Sequence, residues 1–261
     1  MSGGRGSYVS TALGVAWRSL YRAFTTPALL FPALIFPLFF LAAFAGGLSA
    51  VSETPAFEYP QGYTTFVFGF VLLQSSALGG VFTGFSIAAD FQFGMGRRMM
   101  LAARHRTAIV VGYAITGIVR VLLTWTVVTF VAVVIAGMDV GGSAIDVAAL
   151  YALSLTINVF ALLFACGIAL RLRTLQAGPL MQFPVFILLF MTPVYVPQAL
   201  LAGWVSHVAR YNPLTLVLNT NRDLLAGLSA QLLAAYGVAF GLIALLSIWA
   251  VTGMWRAEAA G

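Results

Sequence analysis

The sequence contains no lysine, one cysteine and two histidines, and only 8% of its 261 residues are charged. Each shortage excludes a chemistry. A phosphate loop of the Walker A kind needs a lysine after its last glycine, so this chain cannot carry one. Cys166 is alone in an apolar run, which excludes a disulfide framework. His105 and His207 fall on opposite sides of the membrane in the topology derived below, so they form no metal site and no proton relay. The long apolar runs contain no carboxylate at mid-depth, where a proton- or sodium-coupled carrier usually keeps one. A buried nucleophile–base pair is missing for the same reason. The chain therefore reads as neither a catalyst nor an ion-coupled carrier, and any energy for uphill transport must come from another subunit.

What the sequence has in excess is apolar surface. Hydrophobic residues make up 61% and the mean hydropathy is +1.00. A soluble domain keeps about a quarter of its residues charged, so lipid is the natural solvent of this chain. Six apolar runs, 27–50, 63–89, 108–137, 147–170, 179–201 and 231–255, are each long enough to cross a core about 30 Å thick. They lack period-2 alternation, which favours helices over a barrel. No repeat and no linker divides the chain, so 1–261 reads as a single all-α membrane domain, with a six-span bundle over 27–255.

The opening 26 residues do not read as a signal peptide. Val9, Leu13, Ala16, Trp17, Leu20 and Phe24 share one helical face, with Thr11, Arg18 and Arg22 opposite. That pattern suits a helix lying in the membrane interface, with a plain extension of the first span as the alternative. With the N-terminus inside, ten of the thirteen arginines fall on the cytoplasmic side, two (Arg210, Arg222) fall outside, and Arg120 lies within the third run. The asymmetry puts both termini in the cytoplasm of a multi-pass plasma-membrane protein. It also explains the pI near 9.9 without nucleic acid.

Two stretches carry more than topology. In "DFQFGMGRRMMLAARHRT", residues 90–107, four arginines fall within ten residues behind Asp90. The order Asp90, Gly94, Arg98, Arg106, Gly112 resembles the loop between the second and third spans of type-2 ATP-binding-cassette exporter permeases. Gln92, Met95 and Ala103 stand where that pattern has an acid, a Thr and a Pro. Near the other end, Pro193, Pro197, Trp204, Asn212-Pro213-Leu214-Thr215, Arg222 and Gly227 resemble the family's broken segment before its last span. Together with the amphipathic start and the six runs, the likeness covers the whole chain, and it is nearest to permeases of the daunorubicin-resistance kind.

The resemblance implies a permease that pairs with a second permease subunit, identical or paralogous, and with cytoplasmic ATPases that hold the ATP and Mg. No cofactor is expected on this chain. It implies that Asp90, Gly94, Arg97, Arg98, Met99, Met100, Arg104 and Arg106 belong to a coupling helix resting on the ATPase. The alternative is an arginine cluster that only enforces topology or meets anionic lipid. It further implies that Trp204, Asn212, Pro213, Arg222 and Asp223 belong to a re-entrant helical pair on the outer side, either a cap or a gate. The pair is expected to dip after Pro193 and return through Trp204, with Asn212 as N-cap and Pro213 as the first helical residue. Arg120 is costly at its depth. Gln74 and Asn158 lie at similar depth, so a shared polar layer is expected, serving as a structural pin or facing the cargo. The reading is export of a hydrophobic or amphiphilic cargo: a drug, antibiotic, lipid or glycolipid. A secondary carrier or channel, and an intramembrane enzyme or assembly factor, are the rivals.

Overall fold

The computed structural model describes residues 3–55 and 57–259, and the extreme ends, 1–2 and 260–261, for which a cytoplasmic position is expected, lie outside the described residues. All regular structure among the described residues is helical, and no strand is present. The helices are α1 (Gly3–Thr25), α2 (Pro27–Gly47), α3 (Gly62–Gln92), α4 (Met95–Ala102), α5 (Thr107–Phe130), α6 (Ala144–Leu172), α7 (Gly178–Phe190), α8 (Gly203–Tyr211), α9 (Pro213–Ala226) and α10 (Leu232–Ala259). A π-helical turn, Val131–Ile135, prolongs α5.

Four helical stretches are long and apolar enough to cross a membrane: Gly62–Gln92, Thr107–Ile135, Ala144–Leu172 and Leu232–Ala257. Phe31–Gly47 and Leu175–Phe190 are shorter apolar stretches. The expected fifth crossing, 179–201, is helical only as far as Phe190. Its 13 residues rise about 20 Å, less than a hydrocarbon core of about 30 Å. Pro193 and Pro197 deny the chain the backbone N–H groups that would continue the helix.

The core is built around α3, which is buried along most of its length against α6. Small residues let the two backbones meet. A Cβ on Gly80 would lie 2.6 Å from the Leu162 nitrogen, and one on Gly84 would strike Ala165, so this seam needs glycine. Helix α10 lies on the far side of α6 and α5 on the flank of α3. A capping box starts α6: Ser143 Oγ accepts from the Asp146 nitrogen at 3.3 Å, and Asp146 accepts from the Ser143 nitrogen at 2.8 Å.

Helix α9 is wedged among α3, α6 and α10 with Leu214, Val217, Leu218, Leu224 and Leu225 buried. Asn212 caps its start, accepting from the Leu214 nitrogen at 3.0 Å, and Pro213 is its first residue. The Asn212 amide also donates to the Leu188 carbonyl at 2.6 Å, which ties the turn to the last turn of α7. The far end of α9 meets the loop before α6, where the Gly141 nitrogen donates to Leu225 O at 2.9 Å. After Pro193 the only helical piece before α8 is a single 3-10 turn, Gln198–Leu200. The two short helices that meet at a turn are α8 and α9, and no α-helix starts at Pro193.

Candidate functional site

The end of the bundle that carries α4 gathers most of the expected coupling residues. Helix α3 stops at Phe93, and the chain turns through Gly94 at φ +81°, a left-handed conformation that glycine adopts without strain. Helix α4 then runs as one short amphipathic segment. Gly96 is buried against the Phe91 ring, and Met99 and Met100 pack on the main core. Arg97, Arg98 and Arg104 are exposed, Arg106 is half-buried, and Leu101 and Phe93 are 75% and 70% exposed. Of Met99, Met100 and Leu101, whose side chains the sequence offers as an apolar contact for a partner, the two methionines face inward and Leu101 faces outward. The outward apolar groups are Leu101 and Phe93.

Asp90 corrects a second expectation. It is only 3% exposed and cannot touch a docked partner in this conformation. It accepts hydrogen bonds from three groups on other helices: Arg18, Arg22 (2.7 Å from Nη1 to Oδ1) and the Tyr113 hydroxyl. Arg18 and Arg22 thus turn inward to the protein. The apolar row Val9, Leu13, Trp17, Tyr21 and Phe24 is the exposed face of α1. Of the row read from helical spacing, Val9, Leu13, Trp17 and Phe24 are exposed, whereas Ala16 is buried and Leu20 half-buried, and Tyr21 was not foreseen; the destination of the polar side was not legible either. Burial alone lowers the Arg18 pKa, but the hydrogen bond and the charge of Asp90 more than offset this, so Arg18 is held above its ordinary value.

The clamp is reinforced along α1 and α5. A Cβ on Gly112 would lie 2.6 Å from Ala12 O and 2.7 Å from Val15 Cβ, so Gly112 allows α1 to lie directly on α5. Sequence reasoning placed Gly112 in the loop pattern and missed Tyr113, whose hydroxyl closes the clamp across 23 residues. No local pattern marks a tyrosine for that contact.

Arg120 does not form the expected layer. Its Nη1 lies 3.4 Å from Ser86 Oγ. The Gln74 side-chain amide has no hydrogen-bond partner, and Asn158 donates to Ser76 O at 2.9 Å while its Oδ1 has none. Helical side chains lean toward their own N-terminus. For α5 that direction leads to the α4 end of the bundle, away from Gln74 and Asn158.

At the opposite end, Arg222, one of the two arginines placed on the outer side by the charge asymmetry, is only 4% exposed. Its Nε donates to Phe66 O at 3.1 Å, Nη1 to Pro193 O at 2.8 Å and Nη2 to Val194 O at 3.1 Å. Its guanidinium lies 3.4 Å from the centre of the Phe66 ring. The carbonyls of the broken stretch after α7 have no helical partner, and a rigid fork of donors satisfies them. Asp223 beside it is half-buried, and Trp204 on α8 is exposed.

Asp90, near the end of α3 and just ahead of the short amphipathic helix α4, joins α3 to α1 and α5. Residues 12–226, from α1 to the last residue of α9, match a family model described as ABC-2 type transporter. No curated protein matches the chain.

Proposed function

The chain belongs to the ABC-2 type transporter family, and from that premise we propose that it exports a hydrophobic or amphiphilic cargo, with α4 as the helix that receives the ATPase stroke. As the membrane permease of such a transporter it is a transport subunit, and ATP is hydrolysed on a partner ATPase. A carrier or channel working alone does not fit that family.

The observation that carries the coupling role is the two-sidedness of α4. Gly96, Met99 and Met100 fasten it to the core, while Arg97, Arg98, Leu101 and Arg104 stand outward at one end of two long apolar helices. Exposed arginines suit carboxylates on an ATPase surface. In this reading the ATPases hold ATP and Mg, and a second permease, identical or paralogous, completes the path. Helix α2, and α7 together with the non-helical chain after it, make two further crossings, giving six with both termini in the cytoplasm. Helices α8 and α9 form the re-entrant pair at the outer end, capping or gating the exit. Support for the pair comes from the Asn212 turn, which is held at the last turn of α7 while α9 ends at the loop before α6. Non-helical backbone such as 191–197 persists at membrane depth only when protein surrounds it, and Arg222 provides that surrounding.

The test is charge reversal of Arg98 and Arg106 to Glu in the assembled transporter. Loss of cargo-stimulated ATP hydrolysis, with the permease still folded, is the expected result. Unchanged stimulation would remove α4 from the coupling path.

A further inference from the structure

Helix α6 ends on Arg173, whose φ of +54° is the one positive value at a non-glycine position among the described residues. A side chain is crowded in the left-handed region, and helices usually end there on glycine or asparagine. Gly227 does this for α9. An arginine in its place carries a backbone cost that its side-chain contacts must offset.

Those contacts join three helices. Arg173 Nη2 donates to the Ala257 carbonyl at 2.7 Å and to the Arg256 carbonyl at 3.4 Å. Both carbonyls lie in the last turn of α10, where they have no helical N–H of their own and where a cation suits the helix dipole. The Arg173 guanidinium also lies 5.8 Å from the centre of the Phe91 ring, within reach of a cation–ring attraction. Phe91 is in the last turn of α3. The same ring supports α4: a Cβ on Gly96 would lie 2.6 Å from Phe91 Cγ, so α4 rests directly on it. A narrow crevice of about 50 Å³ brings Arg173, Phe91 and Ala257 together with Met100 and Leu101 of α4.

The base on which Arg173 stands is itself held. Arg171 donates to Trp249 O at 3.0 Å and to Thr252 Oγ1 at 2.8 Å, and lies 3.6 Å from the centre of the Trp249 ring. A Cβ on Gly167 would strike the Trp249 indole, so glycine lets α10 seat against α6. Beside Arg173, Gln92 Oε1 accepts from the Leu175 nitrogen at 2.7 Å, a second tie between the end of α3 and the chain after α6.

We propose that Arg173 is a positioning residue for α4, acting through the Phe91 ring with the ends of α6 and α10 as its support. Its consequence for transport rests on α4 as the helix that receives the ATPase stroke; the positioning itself does not.

The experiment uses the full chain with Cys166→Ala and a nitroxide label on Leu101→Cys, an exposed site on α4, together with ATP hydrolysis by the assembled, unlabelled transporter. Arg173→Gly relieves the backbone and removes the guanidinium. The ratio of mobile to immobile label should rise about two- to fivefold, the effect of losing a half-exposed cation–ring contact. Arg173→Asn, which also tolerates this backbone, should do the same, and Arg210→Gln on α8 should leave the label unmoved. In a Phe91→Leu background Arg173→Gly should add little, because the ring that carries the effect is gone. A label unmoved in both Arg173 variants, as a residue that merely caps α10 would leave it, overturns the proposal, and so does full additivity with Phe91→Leu. A loosened α4 with unaltered ATP hydrolysis upholds the positioning and overturns the coupling role of α4. If one Arg173 variant does not fold, the other decides.

Discussion

Replacing Asp90 by Asn tests whether the clamp holds α1 to the coupling end. The substitution keeps the shape and removes the charge that Arg18 and Arg22 share. Hydrogen bonds to a charged group contribute about 1.5–3 kcal/mol each. Breaking a fully buried pair costs about 3–5 kcal/mol. Here the carboxylate side chain is 4% exposed but its partners are 31% and 37% exposed, so water recovers part of the loss for both arginines. Asn also still accepts one bond. The net expectation is about 2–3 kcal/mol of destabilisation. Asp90→Asn, Arg18→Gln and the double variant form a cycle that isolates the pair, with a coupling energy of about 1–2 kcal/mol expected from residues in direct contact. Unfolding in one detergent gives the energies, and limited proteolysis between α1 and α2 reports release of α1. A loss below about 0.5 kcal/mol, the range of an ordinary surface change, with α1 no more accessible, would refute the clamp. Because Asp90 is out of reach of a docked partner, a coupling defect in Asp90→Asn points to positioning of α4 through the end of α3 on which it packs.

Arg222→Gln should be far more disruptive than its position near a helix end suggests. It leaves at least one of the Pro193 and Val194 carbonyls unpaired, at about 1–3 kcal/mol each; Arg222→Lys should not rescue it, since a single ammonium lacks the fork, and wild-type thermal stability in the Lys variant would contradict this account. Asn212→Ala removes the α9 cap at a cost of about 0.5–2 kcal/mol; hydrogen exchange should quicken in the first turn of α9 before it does in α6, and equal protection in both would count against the cap. A cysteine in place of exposed Arg104, in a chain with Cys166 changed to Ala, should resist an impermeant label added to sealed cells and react once they are opened; labelling from outside would invert the proposed topology.

Much of the architecture is written in local patterns. Apolar run length and the absence of period-2 alternation already indicate the four long helices, because desolvating a backbone in lipid leaves helix as the economical local solution. Pro193 and Pro197 mark where helix must fail, and Asn212-Pro213 marks where α9 starts, since capping and the proline ring act within a few residues. Gly94 before the arginine cluster marks the sharp turn into α4. The spacing of Val9, Leu13, Trp17 and Phe24 gives most of the exposed row of α1, though Ala16 and Leu20, read onto the same face, are buried and half-buried. The family resemblance rests on these same local signals, in order along the chain.

The partners of the long polar side chains were decided by the tertiary structure alone. Depth counted along a helix suggested Gln74 and Asn158 for Arg120, yet the guanidinium sits at Ser86. Arg18 and Arg22 were placed on the polar side of α1, but that side faces Asp90 and Tyr113. Arg222 looked like an interfacial cation and instead satisfies Phe66, Pro193 and Val194. The physical reason is common to all three. A sequence gives the rise of a residue, about 1.5 Å each, but not the rotation of one helix against another. An arginine is long enough to leave the level of its own Cα and bond wherever packing leaves a carbonyl, hydroxyl or carboxylate without a partner. Which groups those are is known only once α1, α3, α5 and α9 have been packed together.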